Sequence, residues 1–143
     1  MLPPSTNNDF RGHPLAAWAL ALFAILAIVP GGIHAFTPDG GLVTIAHLDI
    51  SANPHQFIGM SNWIGAIQIP WGILLLAVSL RYRSLVPLCL FLVFMQAFIN
   101  ASNQWVFRPP AAGAHHPPEM YGTLVAIPLA LIFLWLSLPP SKD

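Results

Sequence analysis

An all-α membrane protein with four spanning helices is the fold class this sequence predicts, and three observations predict it. Of its 143 residues, 56% are hydrophobic and only 7% are charged, whereas a soluble globular domain carries about 25% charged residues. Four uninterrupted apolar stretches each reach the roughly 20 residues a helix needs to cross the hydrocarbon of a bilayer. None of them alternates apolar and polar residues with period two, which excludes a lipid-facing barrel and leaves helices to satisfy the backbone. The length suits one domain, so residues 1–143 are taken as a single integral membrane unit.

The first helix is expected at about 15–35. It has the length of a signal-peptide core, but its entry carries Arg11 and Asp9 and no clean small-x-small site follows before Phe36, so it is read as a retained helix. The second is expected at about 56–80, the third at 84–107 and the fourth at 120–138. Pro30, Pro70, Pro87 and Pro128 each remove a backbone donor and bend or bound their helix. The last helix is announced by Pro117, Pro118 and Glu119, because proline suits the first turn and a carboxylate there meets the positive end of the dipole. Thr37, Pro38, Asp39, Gly40 and Gly41 read as a turn. Residues 42–50 are too short to span and are expected to lie along the interface as a short helix or extended strip.

Orientation follows from the basic residues in short loops. Arg11, Arg81, Arg83 and Lys142 fall on one side and only Arg108 on the other, so both termini are expected in the cytoplasm. The longer connections, 36–55 and 108–119, then lie outside.

Helix seams supply the packing expectation. Helix two carries Ser61, Gly65, Gln68, Gly72, Leu75 and Ser79 at spacings of four and three, and helix three carries Val86, Cys89, Val93, Gln96, Asn100 and Asn103 in the same manner. Lipid offers no hydrophobic drive for helix association, so contacts depend on small residues and on interhelical hydrogen bonds. The short turn at Arg81, Tyr82 and Arg83 predicts that helices two and three form a central antiparallel hairpin, with Gln68 facing Gln96, Gly65 facing Asn100 and Ser61 facing Asn103. Helix one (Ala17, Ala21, Ala24, Ile28, Gly31) and helix four (Thr123, Ile127, Ala130, Leu134, Ser137) have small-residue lines that would close over it in an up-down-up-down bundle.

Polar side chains concentrate toward the outer end. Asn62, Gln68, Gln96, Asn100, Asn103 and Gln104 are the candidate binding residues, since a carboxamide left unpaired in hydrocarbon costs several kcal/mol, about 4 or more by alkane transfer. They are expected to point inward, either to one another as a hydrogen-bonded ladder or to a small ligand. Trp63 and Trp105 suit the outer aromatic belt, while Trp71 lies deeper.

Several function classes are excluded. Five Lys and Arg balance five Asp and Glu with no basic cluster, so nucleic acid is not a partner. One cysteine, Cys89, permits neither a disulfide framework nor a cysteine zinc site. No nucleophile elbow or phosphate-cradling glycine loop occurs, and no catalytic residue is assigned. The apolar interiors of the spans hold no Asp, Glu, Lys or Arg, which argues against proton-coupled or voltage-driven transport. His34, His47, His55, His115 and His116 fall on the outer side with Asp39, Asp49 and Glu119, but their spacings match no metal signature, so no metal site is assigned and no cofactor is identified. Asn100, Ala101 and Ser102 match a glycosylation sequon at membrane depth and are read as a chance match.

The layout of a first span, a longer outer loop, a second helix bearing Gly59, Gly65 and Gly72, a basic turn at Arg81 to Arg83 and a final helix introduced by Pro117, Pro118 and Glu119 resembles the small bacterial four-helix membrane proteins grouped as DoxX-like. The resemblance is one of architecture across most of the chain and carries no site residue. It implies a bacterial inner membrane, and some members of the group are membrane subunits of quinone-linked oxidoreductases. The expected function is that of a non-catalytic accessory or structural subunit, packing against other membrane subunits or copies of itself within the lipid bilayer. The alternative is a binder of a small amphipathic molecule, such as a lipid or quinone headgroup, in an outward-facing polar cleft.

Overall fold

A computed structural model describes residues 2–111, 113 and 116–139. His115 and Lys142, which enter the metal and charge-bias readings above, lie outside the described residues. The fold is all-helical, with α1 at Pro14–Phe36, α2 at Pro54–Arg81, α3 at Val86–Ala101 and α4 at Pro118–Ser137. A 3-10 turn, Arg83–Leu85, leads into α3, and a π-helical turn, Ser102–Phe107, prolongs it. α1, α2, α4 and the continuous helical stretch Arg83–Phe107 that contains α3 are each long and apolar enough to cross a membrane. α1, α2, α3 and α4 each begin with proline in the first turn, and α4 has Glu119 beside it as expected. Pro30, Pro70 and Pro128 are accommodated inside helices.

The packing order differs from the hairpin expectation. α1 against α2 is much the largest interface and α3 against α4 the next, while α2 touches α3 only slightly. The seam of α2 is real, but it faces α1. A Cβ on Gly65 would lie 2.5 Å from the Gly31 carbonyl oxygen and 2.7 Å from the Ala35 nitrogen, and one on Gly72 would lie 2.5 Å from Ile28 Cγ1 and 2.8 Å from the Ala24 carbonyl oxygen. Small residues on both helices thus let the two backbones approach closely, which in lipid is the main source of van der Waals attraction between helices. A short turn constrains two helices to be sequential; it does not make their faces the best fit.

All four helices meet in one core, and it occupies only one half of the bundle. Ala16, Ala17, Leu20 and Ala24 of α1, Leu75 and Val78 of α2, Val86, Cys89, Leu90 and Val93 of α3, and Ala130 of α4 make it up. These positions lie in the first half of α1 and α3 and the second half of α2 and α4. The N-terminal segment laces this end together. Thr6 N–H and the Ser5 hydroxyl donate to the Arg81 carbonyl at 3.0 Å each, Asn7 Nδ2 donates to the Leu80 carbonyl at 2.8 Å, the Ser84 hydroxyl donates to Thr6 Oγ1 at 2.8 Å, and His13 N–H donates to the Leu136 carbonyl at 2.8 Å. The carbonyls that α2 and α4 leave orphaned at their C-termini are satisfied in this way.

At the other end, residues 40–46 are a run of turns and 47–50 are irregular, which replaces the short helix or extended strip expected there. Gly40 and Gly41 adopt φ of 61° and 73°, a region where a side chain is strained.

Glycine substitution on α2 and α4 separates contact from composition. Gly65→Ala and Gly72→Ala are expected to cost on the order of 1–3 kcal/mol by forcing α1 and α2 apart. Gly59→Ala and Gly122→Ala meet nothing within 4 Å and are expected to change stability by less than about 0.5 kcal/mol. Thermal unfolding of the four variants in one detergent checks the contrast.

Candidate functional site

The amide-bearing face of α3 leaves the core partway along its length. At about 100° per residue, Val86, Cys89, Val93, Gln96 and Asn100 share a face. The first three are buried, and Gln96 and Asn100 are exposed. The face that is buried toward the start of α3 is thus exposed further along the same candidate span, where it bears carboxamides. Among the described residues, no hydrogen bond reaches the side chain of either Gln96 or Asn100. Asn103 is exposed and its Nδ2 donates to the Ile99 carbonyl at 2.9 Å.

The other candidates are placed elsewhere. Asn62 is exposed and stands nine residues, or two and a half turns, from Trp71, which packs on the core, so Asn62 points to the opposite side of α2. Gln68 sits on the α1-facing seam, with its Cβ 2.9 Å from where a Cβ on Gly31 would be. Gln104 lies in the π-helical turn. Both glutamines are half-buried, and the Oε1 of each is enclosed without a hydrogen-bond partner among the described residues. The expected meetings of Gln68 with Gln96, Gly65 with Asn100 and Ser61 with Asn103 are replaced by the α1–α2 contacts, and the inward ladder across a central hairpin is absent among the described residues. Two recesses form elsewhere and are lined by none of the six candidates: one of about 260 Å³ at Ala52 to Gln56, and one of about 740 Å³ between Arg11 to Pro14 and Trp135 to Pro139.

A polar node that the sequence pattern did not reveal joins α1, the 37–53 connection and α2. His34 Nδ1 lies 2.8 Å from the Gly40 carbonyl and 2.9 Å from Ser61 Oγ, and the Ser61 hydroxyl donates to the same carbonyl at 2.9 Å. A carbonyl only accepts, so the contact assigns a hydrogen to Nδ1. Ser61 is only 2% exposed. Enclosed in this way it is a bracing group for the turn and has no access for a substrate. The signal that could have found it is the Ser61 position at the head of the α2 small-residue seam, opposite the end of α1.

Asp39 organises the same connection. Its carboxylate accepts from the backbone N–H groups of Gly41 at 3.0 Å, Val43 at 3.1 Å and Thr44 at 2.8 Å. These bonds, Thr44 first and then Gly41, hold its pKa well below the usual carboxylate range. Asp49 is lowered likewise by the Ser51 N–H. Near the far end of α3, Trp105 stacks on His116 with ring centroids 5.3 Å apart, packs edge-on to Tyr121 at 5.7 Å, and donates from Nε1 to the Met120 carbonyl at 3.2 Å. Trp105 therefore ties α3 to α4, and belt anchoring alone does not describe it. No three or more His, Cys, Asp or Glu side chains among the described residues are placed to share a metal ion.

Comparison with known proteins gives no match to a family profile, to a curated protein or to a solved structure.

Because the folded-state pKa of Asp39 is below the unfolded value near 3.9, its contribution to the loop is fully present above that value. It fades as pH falls toward the folded pKa. Hydrogen exchange at Gly41, Val43 and Thr44 is thus expected to stay protected from neutral pH down to about 4 once intrinsic rates are corrected, whereas Asp39→Asn should lose protection at all three amides even at neutral pH.

Proposed function

We propose that this chain is a non-catalytic subunit of a membrane assembly, and that α3 is the element it presents to its partner. One observation carries the reading: Gln96 and Asn100 are exposed within the third candidate span, and neither side chain has a hydrogen-bond partner among the described residues. A carboxamide facing acyl chains pays several kcal/mol, about 4 or more by alkane transfer. A second transmembrane helix removes that cost, because carboxamides both donate and accept. The absence of Asp, Glu, Lys and Arg from the span interiors supports a packing role over a proton relay. Membership of the DoxX-like group, an up-down-up-down path, and a bacterial inner membrane with both termini cytoplasmic belong to the same proposal. They rest on the layout of four spans and on the charge bias of the loops.

A second reading, a small amphipathic ligand such as a lipid or quinone headgroup, is favoured by the enclosed and unpartnered Oε1 atoms of Gln68 and Gln104. A hydroxyl or amide donor on such a molecule would satisfy them.

Native mass spectrometry of protein extracted in mild detergent tests both readings. The subunit reading expects a fixed-ratio complex with at least one further polypeptide, of the same or another kind. The mass of one chain with no polypeptide bound overturns it. A bound small molecule that Gln68→Leu or Gln104→Leu removes supports the second reading instead.

A further inference from the structure

The end of the bundle that carries the N-terminal strap also carries most of the positive charge. Among the described residues, Arg11, Arg81 and Arg83 lie there against one carboxylate, Asp9, whereas Arg108 lies at the other end with Asp39, Asp49 and Glu119. Two of the three arginines are engaged within the chain: Arg81 Nη2 donates to the Pro3 carbonyl at 3.1 Å and Arg83 Nε to the Ser79 carbonyl at 3.0 Å. Arg11 is exposed, and its guanidinium has no ion pair or hydrogen bond among the described residues. It lines the recess of about 740 Å³ between the start of α1 and the end of α4.

The other groups around that recess favour an anion with an apolar body. Pro14, Trp135, Leu138 and Pro139 give apolar walls, and His13 is the second polar side chain. His13 Nδ1 accepts from the Leu15 N–H at 3.2 Å, so the ring hydrogen is on Nε2, which has no acceptor among the described residues. The carbonyls at the end of α4, to which a cation would be drawn, are already taken: Leu134 by the Ser137 hydroxyl at 2.6 Å, Trp135 by the Leu138 N–H at 3.2 Å and Leu136 by the His13 N–H at 2.8 Å. Both helices are candidate spans, so their ends fall at headgroup level, where arginine reaches for water and tryptophan settles. Apolar surface then continues from the recess into the span. Trp18, one turn beyond Pro14, is 61% exposed, and Leu131 and Ile132, one turn before Trp135, are 44% and 52% exposed.

We infer that this recess binds the headgroup of an anionic phospholipid, with the phosphodiester against the Arg11 guanidinium and His13 Nε2–H and the acyl chains on the Trp18, Leu131 and Ile132 surface. The volume falls within the roughly 300–1,000 Å³ of small-molecule sites and exceeds what a free phosphate fills. A planar guanidinium suits a phosphate oxygen pair, and none of the amides invoked in the two readings above lines the recess.

Native mass spectrometry of the full chain in a neutral detergent, titrated with palmitoyl-oleoyl phosphatidylglycerol or with phosphatidylcholine of the same chains, tests the inference. The phosphatidylglycerol adduct is expected at one lipid per chain and tighter than the phosphatidylcholine adduct. Arg11→Gln, which removes no contact inside the fold, should weaken it by a factor on the order of five. Trp135→Ala, which removes a wall and no charge, should also weaken it, and Arg83→Gln should leave it unchanged. Equal binding of the two lipids overturns the inference. So does an equal loss with Arg83→Gln and Arg11→Gln, which marks diffuse attraction to a basic surface, or full binding by Trp135→Ala. Inorganic phosphate that binds through Arg11 while phosphatidylglycerol does not marks a free-anion site and overturns the lipid assignment.

Discussion

A carboxamide in hydrocarbon needs a hydrogen-bond partner, and the placement of Gln96, Asn100 and Asn103 depends on that requirement more than on any other. Aliphatic side chains are nearly indifferent to whether they touch lipid or protein, so a spanning bundle is free to expose most of its apolar surface. This one does: Trp63, Ile67, Leu74, Phe98, Leu131 and Trp135 are all at least 44% exposed. Amides have no such freedom. Gln96 and Asn100 lie on a face of α3 that leaves the core, and no partner for them is found among the described residues.

The energetic centre of the fold lies away from that face. α1 and α2 pack through Gly31, Gly65 and Gly72 and through Ala24 and Ala35, at distances that no larger side chain permits. The N-terminal strap then ties the start of α1 to the ends of α2 and α4 and to the start of α3. Tight packing and hydrogen bonding at one end, with His34, Ser61, Gly40 and Asp39 bracing the 37–53 connection at the other, hold α1 and α2 as a rigid pair. α3 and α4 are joined to that pair through the shared core and the N-terminal strap.

The helices were largely legible in the sequence because membrane thickness and proline placement both constrain them. The expected spans at 15–35, 56–80 and 120–138 lie within two residues of α1, α2 and α4 at each end. The small-residue seams were legible too, since Ala17, Ala21, Ala24, Gly31, Gly65 and Gly72 are all buried. Partner choice was not. Two amide-bearing seams at matching register suggested a central α2–α3 hairpin, but small residues facing small residues give closer contact, and α1 supplied them. The π-helical turn at Ser102–Phe107 left no sequence signal, because it reflects a local shift in hydrogen bonding that no single residue type encodes. The strap was hidden for a similar reason: Ser5, Thr6 and Asn7 are ordinary turn residues whose partners lie about 75 positions away.

The central claim is that the amide-bearing face of α3 is covered by protein and not by acyl chains. Collision of dissolved oxygen with a nitroxide, measured by electron paramagnetic resonance in lipid bilayers, reads that property directly. A label at position 99 is predicted to show oxygen access several-fold below that of a label at position 98, although both residues are half or more exposed in the single chain. Equal and high access at the two positions would place that face in the acyl chains and contradict the account.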